Sequence, residues 1–569
     1  MVRAMYEELS RERKELQQAG ECPKFFTTAG WQLFKEKYLY QANTPRQQYQ
    51  RIARTLARHA RSMPPNFPYN SWEEAFLDLL MRGWLSASTP VLANTGTSRG
   101  MPVSCSGNVV LDNIQEIYKA KLEVATLTKY GFGTASDLSL ISPRGTISNK
   151  GVKCSGVVPI VQGFVHDMNY ISQGSNRRGS WAAYLPITHG DFYELASYLE
   201  TSPDSLNVGW IITDEFINRL DNRDSDAIRR YQEALKVKMT VGKGYFFFID
   251  KANAKRPEWY VKHNLDIKAS QLCTEIMLFS DKDHTYSCVL SSMNVSLYDE
   301  WKNTQAPFIA TVFLDCVVSE FLEQAQGIPE LDKIIRFTEK SRALGLGICG
   351  LHTLFQKHCL AFESMEAYLL NQKIIKQIRQ QAEQATQWMA SEWGEPEWCK
   401  GFNRRNTHLL AIAPTKSTAL IMGGISEGIN PDPAMVYTQQ TPAGEVQRIN
   451  PVLLSIMKQR DKYNQKTINR ILENFGSVQQ EDWLSDKEKE AFKNAFEIDQ
   501  KAIIRMASAR QTYVDQGQSL NLFFSAEESE EYISEVHKLA FKDPNILSLY
   551  YCYSRAGVLA SKGECSVCQ

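Results

Sequence analysis

The sequence predicts an α/β protein whose first eighty or so residues form a helical region of their own, and two observations carry that reading. Near the start, TPRQQYQRIARTLARHARSM and SWEEAFLDLLMRGWL repeat apolar residues at three-and-four spacing, the period of an amphipathic helix. From STPVLANTGT onward short apolar runs of strand length alternate with longer helical stretches. A parallel sheet or barrel with helical crossovers is the architecture that buries both.

In chain order, MVRAMYEELSRERKELQQAG reads as a charged helix and, with the two amphipathic helices, makes residues 1–85 all-helical. Residues 86–555 form the α/β domain, with strand-like runs at Gly244–Asp250 (GYFFFID) and His408–Thr415 (HLLAIAPT). Charged helical patterns run from about Pro451 to Ala509, QGQSLNLFF interrupts them, a further helix follows, and NILSLYYCY reads as a last buried strand. The end is small, polar and glycine-containing, so residues 556–569 are expected to form a mobile tail. Gly345, Gly347 and Gly350 in LGLGICG copy the spacing of a dinucleotide fingerprint, but they follow the helical pattern LDKIIRFTEKSRA where that fingerprint needs a strand. Close packing between backbone elements accounts for them better.

With 64 basic and 64 acidic residues the formal charge is zero, so no bulk attraction to nucleic acid or to a membrane surface is expected. The start lacks the apolar core of a signal peptide and no later segment has the length of a membrane span, which predicts a soluble, cytoplasmic protein. In that reducing compartment twelve cysteines are too dilute for a disulfide scaffold and begin as thiols. Cys22, Cys154, Cys316, Cys349, Cys359 and Cys399 are expected to be small core hydrophobes.

Cys565 and Cys568 stand three positions apart in the closing GECSVCQ. Such a pair can be half a zinc site, a redox pair or chance. The chain has no second Cys-x-x-Cys and no well-spaced histidine pair to complete a zinc site, so no metal is expected and the redox reading leads. A dithiol on a flexible segment can attack a disulfide elsewhere in the protein and carry the oxidation outward by exchange.

Three further cysteines stand in unusual company: Cys105 in VSCSGN, Cys273 in SQLCTEI and Cys288 in YSCVLSS. STP, followed sixteen residues later by the cysteine of SCSG, then QLCTEI, SCVLSSMNV, APTKST, SEGINP, QSLN, LYY and the terminal pair resemble, in that order, the catalytic large subunit of ribonucleotide reductase. The resemblance runs from about Trp31 to Gln569. It implies a ten-stranded α/β barrel with a finger loop threading its centre. Cys273 matches the cysteine at the loop tip, which as a thiyl radical abstracts the 3′ hydrogen of the substrate ribose, and Glu275 matches the base that accepts the 3′ hydroxyl proton. Gln271 stands where the family has an asparagine holding the substrate hydroxyls; the amide is kept on an arm one methylene longer.

The same resemblance makes Cys105 and Cys288 the pair that supplies two electrons and closes to a disulfide at each turnover. Cys565 and Cys568 match the shuttle that reduces this disulfide and is itself reduced by thioredoxin or glutaredoxin. The fourteen residues from Tyr551 to Cys565 reach about 45–50 Å when extended at ~3.3–3.6 Å per residue. Tyr550 and Tyr551 match adjacent tyrosines that relay the radical from a separate ferritin-like small (beta) subunit, a mark of the oxygen-dependent class I enzymes that tells against the adenosylcobalamin-dependent class. Strand alternation alone would point neighbouring rings to opposite faces, so their stacking requires a local twist or bulge; Cys552 and Tyr553 read as packing residues.

For the substrate's phosphates, Thr415, Lys416, Ser417 and Thr418 at a strand-to-helix junction match the family's diphosphate cradle, Thr89 matches a further contact, and Ser104 is a further substrate-binding candidate. Helix capping and phosphate binding use the same donors. Asp112, seven residues after Cys105, matches the acidic residue of the specificity site for dNTP or ATP effectors, and SQGSNRRGS matches its sensing loop with Gln173 and Arg177. Arg144 in SPRGT is the candidate for effector phosphate, about two positions from the family arginine. The whole implies a homodimeric oxidoreductase acting on ribonucleoside diphosphates with no permanently bound cofactor in this chain. With STP beginning at Ser88, the helical region leaves no room before it for the ATP-cone of about ninety residues that many relatives carry. A nucleotide-binding paralogue without catalysis would need none of the five redox cysteines nor Glu275.

Overall fold

A computed structural model describes residues 2–173, 177–441 and 444–554, so the terminal pair Cys565 and Cys568 lies outside the described residues. Helix boundaries at the N-terminal end follow local capping chemistry. Thr44 accepts from Gln47 N and Pro45 fills the first turn of helix Pro45–Ala57. Ser71 caps helix Trp72–Arg82 in the same way, and Gly83 ends it in the left-handed conformation at φ 70°. The apolar faces of both close on helix Ala306–Ala325, which is apolar nearly all round and buried for most of its length. Phe76 meets Phe313 edge to face at 5.2 Å, and Trp72 meets Trp388 of helix Met365–Trp393 at 5.8 Å. Helix Thr28–Leu33 packs the other way: a side chain at Gly30 would meet the Leu420 carbonyl at 3.1 Å, so it lies directly against helix Lys416–Ile421.

One sheet holds nine strands: β1 (Leu85–Ala87), β2 (Cys105–Val109), β3 (Gly133–Asp137), β4 (Trp181–Pro186), β5 (Asn207–Ile212), β6 (Tyr245–Phe248), β7 (Tyr286–Asn294), β8 (Leu344–Cys349) and β9 (Ser548–Leu549). From β2 to β6 neighbours are parallel and consecutive, each joined by a helical crossover. β7 runs antiparallel to β2 at one end and to β1 at the other, and β8 lies parallel to β7. The sheet's edges then meet. Leu346 of β8 bridges Leu410, Ile412 bridges Gln518, and Tyr550, just past β9, donates its N–H to the Leu520 carbonyl. Backbone hydrogen bonds thus close a ring of ten: β2 to β9 supply eight strands and the extended stretches 409–412 and 518–520 the other two, while β1 pairs with the far end of β7 beyond β2. Almost every strand residue is buried, as helices outside and a loop inside require.

Several expectations are refined here. NILSLYYCY is not one strand: β9 pairs with β6, whereas Cys552–Ser554 pairs with Leu522–Phe524, and residues 550–551 form the break. LGLGIC is β8 itself. A side chain at Gly345 would meet Leu290 Cδ2 at 2.3 Å, and one at Gly347 would meet the Ala411 carbonyl at 2.6 Å, so these glycines serve close packing and no nucleotide. Of the six cysteines assigned to the core, Cys22, Cys316, Cys349 and Cys399 are buried. Cys154 and Cys359 are only half-buried, because Cys154 lies in a turn bonded to Gly145 and Thr146, and Cys359 follows helix Leu351–Lys357 with φ 51°. No single described helix is long and apolar enough to cross a membrane.

A buried ionic knot ties the helical shell to the ring. Asp315, on helix Ala306–Ala325, accepts from Arg342 Nε at 2.9 Å, Arg405 Nε at 2.9 Å and Asn406 Nδ2 at 2.9 Å, while Asn406 also donates to the Arg342 carbonyl. Arg342 leads into β8 and Asn406 into the stretch at 409–412, so one carboxylate sets the entry of two adjacent strands. The two guanidiniums hold it ionised, well below the usual aspartate range despite complete burial. Asp315→Ala leaves both cations without their partner and should cost about 3–5 kcal/mol, read as a lowered urea midpoint of the first unfolding transition; a midpoint within error of wild type would show that the knot is dispensable.

Candidate active site

Inside the ring, between helix Glu258–Lys262 and β7, the chain makes a loop whose apolar residues Leu272, Cys273 and Met277 pack with Tyr184 of β4, Tyr245 of β6 and Tyr550. A loop placed there must have its polar backbone satisfied from the barrel wall. Tyr184 Oη donates to the Gln271 carbonyl at 2.5 Å, Ser519 Oγ to the Cys273 carbonyl at 2.6 Å, and Ser548 Oγ to the Thr274 carbonyl at 2.9 Å. Gly517 N donates to the Glu275 carbonyl at 2.7 Å, and Gln516 Oε1 accepts from Met277 N at 3.1 Å. Thr274 is held at φ 68°, a strained setting for a β-branched residue, directly beside Cys273.

Gln271, at the position where the resemblance leads one to expect an asparagine, folds back on the loop. Gln271 Oε1 accepts from Cys273 N at 2.7 Å and Nε2 donates to Glu275 Oε2 at 2.5 Å. Its longer arm therefore clamps Cys273 and Glu275 together. Ser519 Oγ reaches the same Oε2 at 3.1 Å, while Oε1 of Glu275 is buried without a hydrogen-bond partner among the described residues. Burial pushes this carboxyl up to about 8.

Cys105 and Cys288 are directly opposed on β2 and β7. Opposed residues of antiparallel strands have Cα atoms about 4.5–5.5 Å apart, inside the span of about 4.4–6.8 Å that a disulfide bridges. Gln516 Nε2 donates to Cys288 Sγ at 3.4 Å, and the missing side chain at Gly345 leaves that sulfur its room. Burial drives the Cys288 thiol well above its ordinary range, so it is protonated and inert at rest. A pocket opens onto Cys105, Cys273, Glu275 and Gln271, and its wall includes Thr89, Ser104, Thr415 and Thr418. Four sequence segments expected to act together thus line one cavity.

The phosphate candidates divide. Thr415, at φ 56°, begins helix Lys416–Ile421 without capping it by its side chain; its Oγ1 accepts from Gly428 N at 2.8 Å instead. Ser417 and Thr418 are buried, whereas Lys416 is exposed. Thr89 Oγ1 shares a 3.1 Å hydrogen bond with Tyr38 of the helical region, and Ser104 Oγ donates to Ser88 Oγ at 3.3 Å.

Tyr550 and Tyr551 meet at 4.3 Å between ring centroids where strand pairing breaks, but their planes are tilted by 59°, so the stacking expected from the sequence does not form. Tyr245 joins them at 4.8 and 5.6 Å. Tyr553 stacks on Phe523 at 5.2 Å, a packing role.

Farther out, Asp112 accepts from Ser142 N at 3.0 Å and Oγ at 2.5 Å, which brings the segment carrying Arg144 beside it. Arg144 itself is engaged by Glu194 through Nε at 2.8 Å and Nη2 at 2.6 Å, so an effector phosphate would have to displace that pair. Gln173 and Arg177 are opposed in backbone register across a short hairpin; its tip, 174–176, and their side chains lie outside the described residues. Sequence reasoning missed Tyr184, Tyr245, Gln516, Ser519 and Ser548. The one signal was QGQSLN, a polar run entering an otherwise apolar stretch.

A closed ring of ten strands around a loop that presents a cysteine to two further thiols defines an α/β-barrel enzyme of thiol redox chemistry. Residues 103–230, 221–405 and 397–552 match the ribonucleotide reductase barrel domain, and residues 24–100 match the all-alpha domain of the same enzyme. The chain belongs to the ribonucleotide reductase large-subunit family. A relative from Frog virus 3 (isolate Goorha) is 32% identical over 529 residues, 87% of this chain and 92% of its own. The ribonucleoside-diphosphate reductase large subunit of Invertebrate iridescent virus 3 is 26% identical over 93% of this chain and 94% of its own. Among solved structures, the Actinobacillus ureae class Id ribonucleotide reductase alpha subunit superposes with a TM-score of 0.85 at 33% identity, over 95% of this chain and 99% of that one.

Glu275 yields a pH prediction. The folded carboxyl keeps its proton up to about 8, whereas the unfolded one loses it in the ordinary glutamate range, so the stability tied to that proton is full at low pH and lost as pH rises toward 8. Glu275→Gln removes the group. Relative to wild type the variant should gain up to about 1.4 kcal/mol per pH unit between about pH 5 and 8, measured as the difference of urea midpoints; parallel pH profiles would contradict it.

Proposed function

We propose that this chain is the catalytic subunit of a class I ribonucleotide reductase, reducing ribonucleoside diphosphates to 2′-deoxy products. What carries the reading is that Cys273, Glu275 and Cys105 share one pocket with Cys288 directly opposite Cys105. A radical on the Cys273 sulfur takes the 3′ hydrogen atom of the ribose. Glu275, in its ionised form, takes the 3′ hydroxyl proton as the 2′ hydroxyl leaves as water and returns it to the 3′ oxygen at the end of the cycle. With the carboxyl pushed up to about 8, that base form grows as pH rises toward 8. Cys105 and Cys288 supply two electrons and two protons and become a disulfide, and Cys273 returns its hydrogen to carbon 3′. In the balance one C–OH becomes C–H, one water leaves and two thiols become one disulfide. Ser417, Thr418 and the start of helix Lys416–Ile421 hold the diphosphate beside this pocket.

Three partners complete the reading. A small (beta) subunit supplies the radical through Tyr551 and Tyr550, favouring class I over the adenosylcobalamin-dependent enzymes. Cys565 and Cys568 reduce the internal disulfide and are reduced by thioredoxin or glutaredoxin. A second copy of the chain pairs along helix Ile114–Lys129, whose Ile114, Tyr118 and Leu122 form an exposed apolar stripe just after Asp112. Such a dimer sets effector sites at Asp112, Arg144 and the hairpin of Gln173 and Arg177 beside the interface.

Two measurements test this. With the small subunit present the wild-type chain should turn over without adenosylcobalamin, and Cys273→Ser should bind nucleotide normally yet lose at least about 10³-fold in kcat; near-wild-type turnover in that variant would refute the assignment. Replacing Cys565 and Cys568 by serine should halt thioredoxin-driven catalysis after about one turnover while a small dithiol partly restores it; undiminished thioredoxin-driven rates would remove the terminal pair from the mechanism.

A further inference from the structure

Lys238, on helix Ser225–Val241, is fully buried, and no carboxylate among the described residues forms an ion pair with it. Its ammonium donates to the carbonyl of Gly244 at 3.3 Å and to the carbonyl of Tyr550. It lies 5.9 Å from the ring centroid of Tyr245 and 5.4 Å from that of Phe246. The other titratable groups facing it are Cys552, pushed up to about 12 by burial, and His537, pushed down to about 4 by burial and then by Lys238. Both are neutral at pH 7, so neither offsets the charge. Burial brings Lys238 itself down to about 8.

An ammonium without a counter-ion is an expensive donor for two carbonyls, and its position explains what it does. Residues 550–551 are where the strand leaves β6 and before pairing resumes with Leu522–Phe524. The end of helix Ser225–Val241 grips the chain on both sides of that break. Lys238 holds the carbonyl of Tyr550, and the carbonyl of Gly242, the left-handed residue ending the helix at φ 77°, accepts from Cys552 N at 3.0 Å. A side chain at Gly242 would press on the Cys552 carbonyl at 3.2 Å.

We infer that Lys238 is a positioning residue for the tyrosine pair: its grip on Tyr550, with that of Gly242 on Cys552, keeps the break open so that the rings of Tyr550 and Tyr551 lie against each other and against Tyr245. This rests on the relay reading of the pair. The test uses the full chain with its small subunit and 3-aminotyrosine at position 550. This residue is more easily oxidised than tyrosine; it gives one electron to the small subunit's radical, loses its phenolic proton and traps the radical. The splittings from its β-methylene protons read the torsion of the ring. In Lys238→Met the fold and KM should persist, kcat should fall at least about tenfold, and the trapped radical should show altered splittings and lower yield. Lys238→Gln, a neutral donor on a shorter arm, should recover part of both and decides by the same two readouts if the Met variant does not fold. Unchanged splittings overturn the inference, whether kcat is kept or lost. Absence of any radical at 550 with Lys238 intact would instead defeat the relay reading, and the inference with it.

Discussion

A polar loop can occupy the centre of a barrel only if every backbone group it brings is met there, and the structure is organised around meeting that demand. Five carbonyl or amide groups of residues 271–277 are satisfied by Tyr184, Gln516, Gly517, Ser519 and Ser548. Four of these five anchors come from more than two hundred residues farther along the chain. The loop that presents Cys273 therefore has no defined geometry until the last strands are in place. Nothing in its immediate sequence could hold Thr274 in the left-handed region without them.

The same late segment does several jobs at once. Residues 516–521 close the ring between 409–412 and β9, anchor the loop, and place Gln516 against Cys288. Asn521 N donates to Asn430 Oδ1 at 3.1 Å and its own Oδ1 accepts from Tyr551 N at 3.2 Å. One short stretch thus joins the turn after helix Lys416–Ile421, the loop cysteine, the thiol pair and the tyrosine pair. Geometry at any of these places is set jointly with the others, which is what chemistry among atoms from distant segments requires.

Three buried ionisable groups show how the protein separates stability from reactivity. Asp315 is fully matched by two guanidiniums and an amide and serves the scaffold. Glu275 receives hydrogen bonds on one oxygen only, so desolvation lifts its proton affinity toward neutral pH. Lys238 has carbonyls in place of a counter-ion. Full compensation lies in the shell, partial compensation beside the pocket and the tyrosines.

By itself the sequence determined the class and order of the elements. Helix periodicity and caps such as Thr44 and Ser71 are local signals, and the cysteines, Glu275 and the paired tyrosines stand in strings specific enough to name the family. Tertiary structure alone decided the rest. That Cys105 opposes Cys288 is a matter of register between strands 183 residues apart, and that Gln271 clamps Glu275 depends on a loop conformation imposed from the barrel wall. NILSLYYCY reads as one strand because periodicity cannot see that its two halves have different partners. Lys238 looks like any helical lysine in the sequence; only packing shows that it is buried against the carbonyl of a residue 312 positions away. Local propensity acts over a few residues, whereas register, burial and proton affinity are set by whatever the rest of the chain brings alongside.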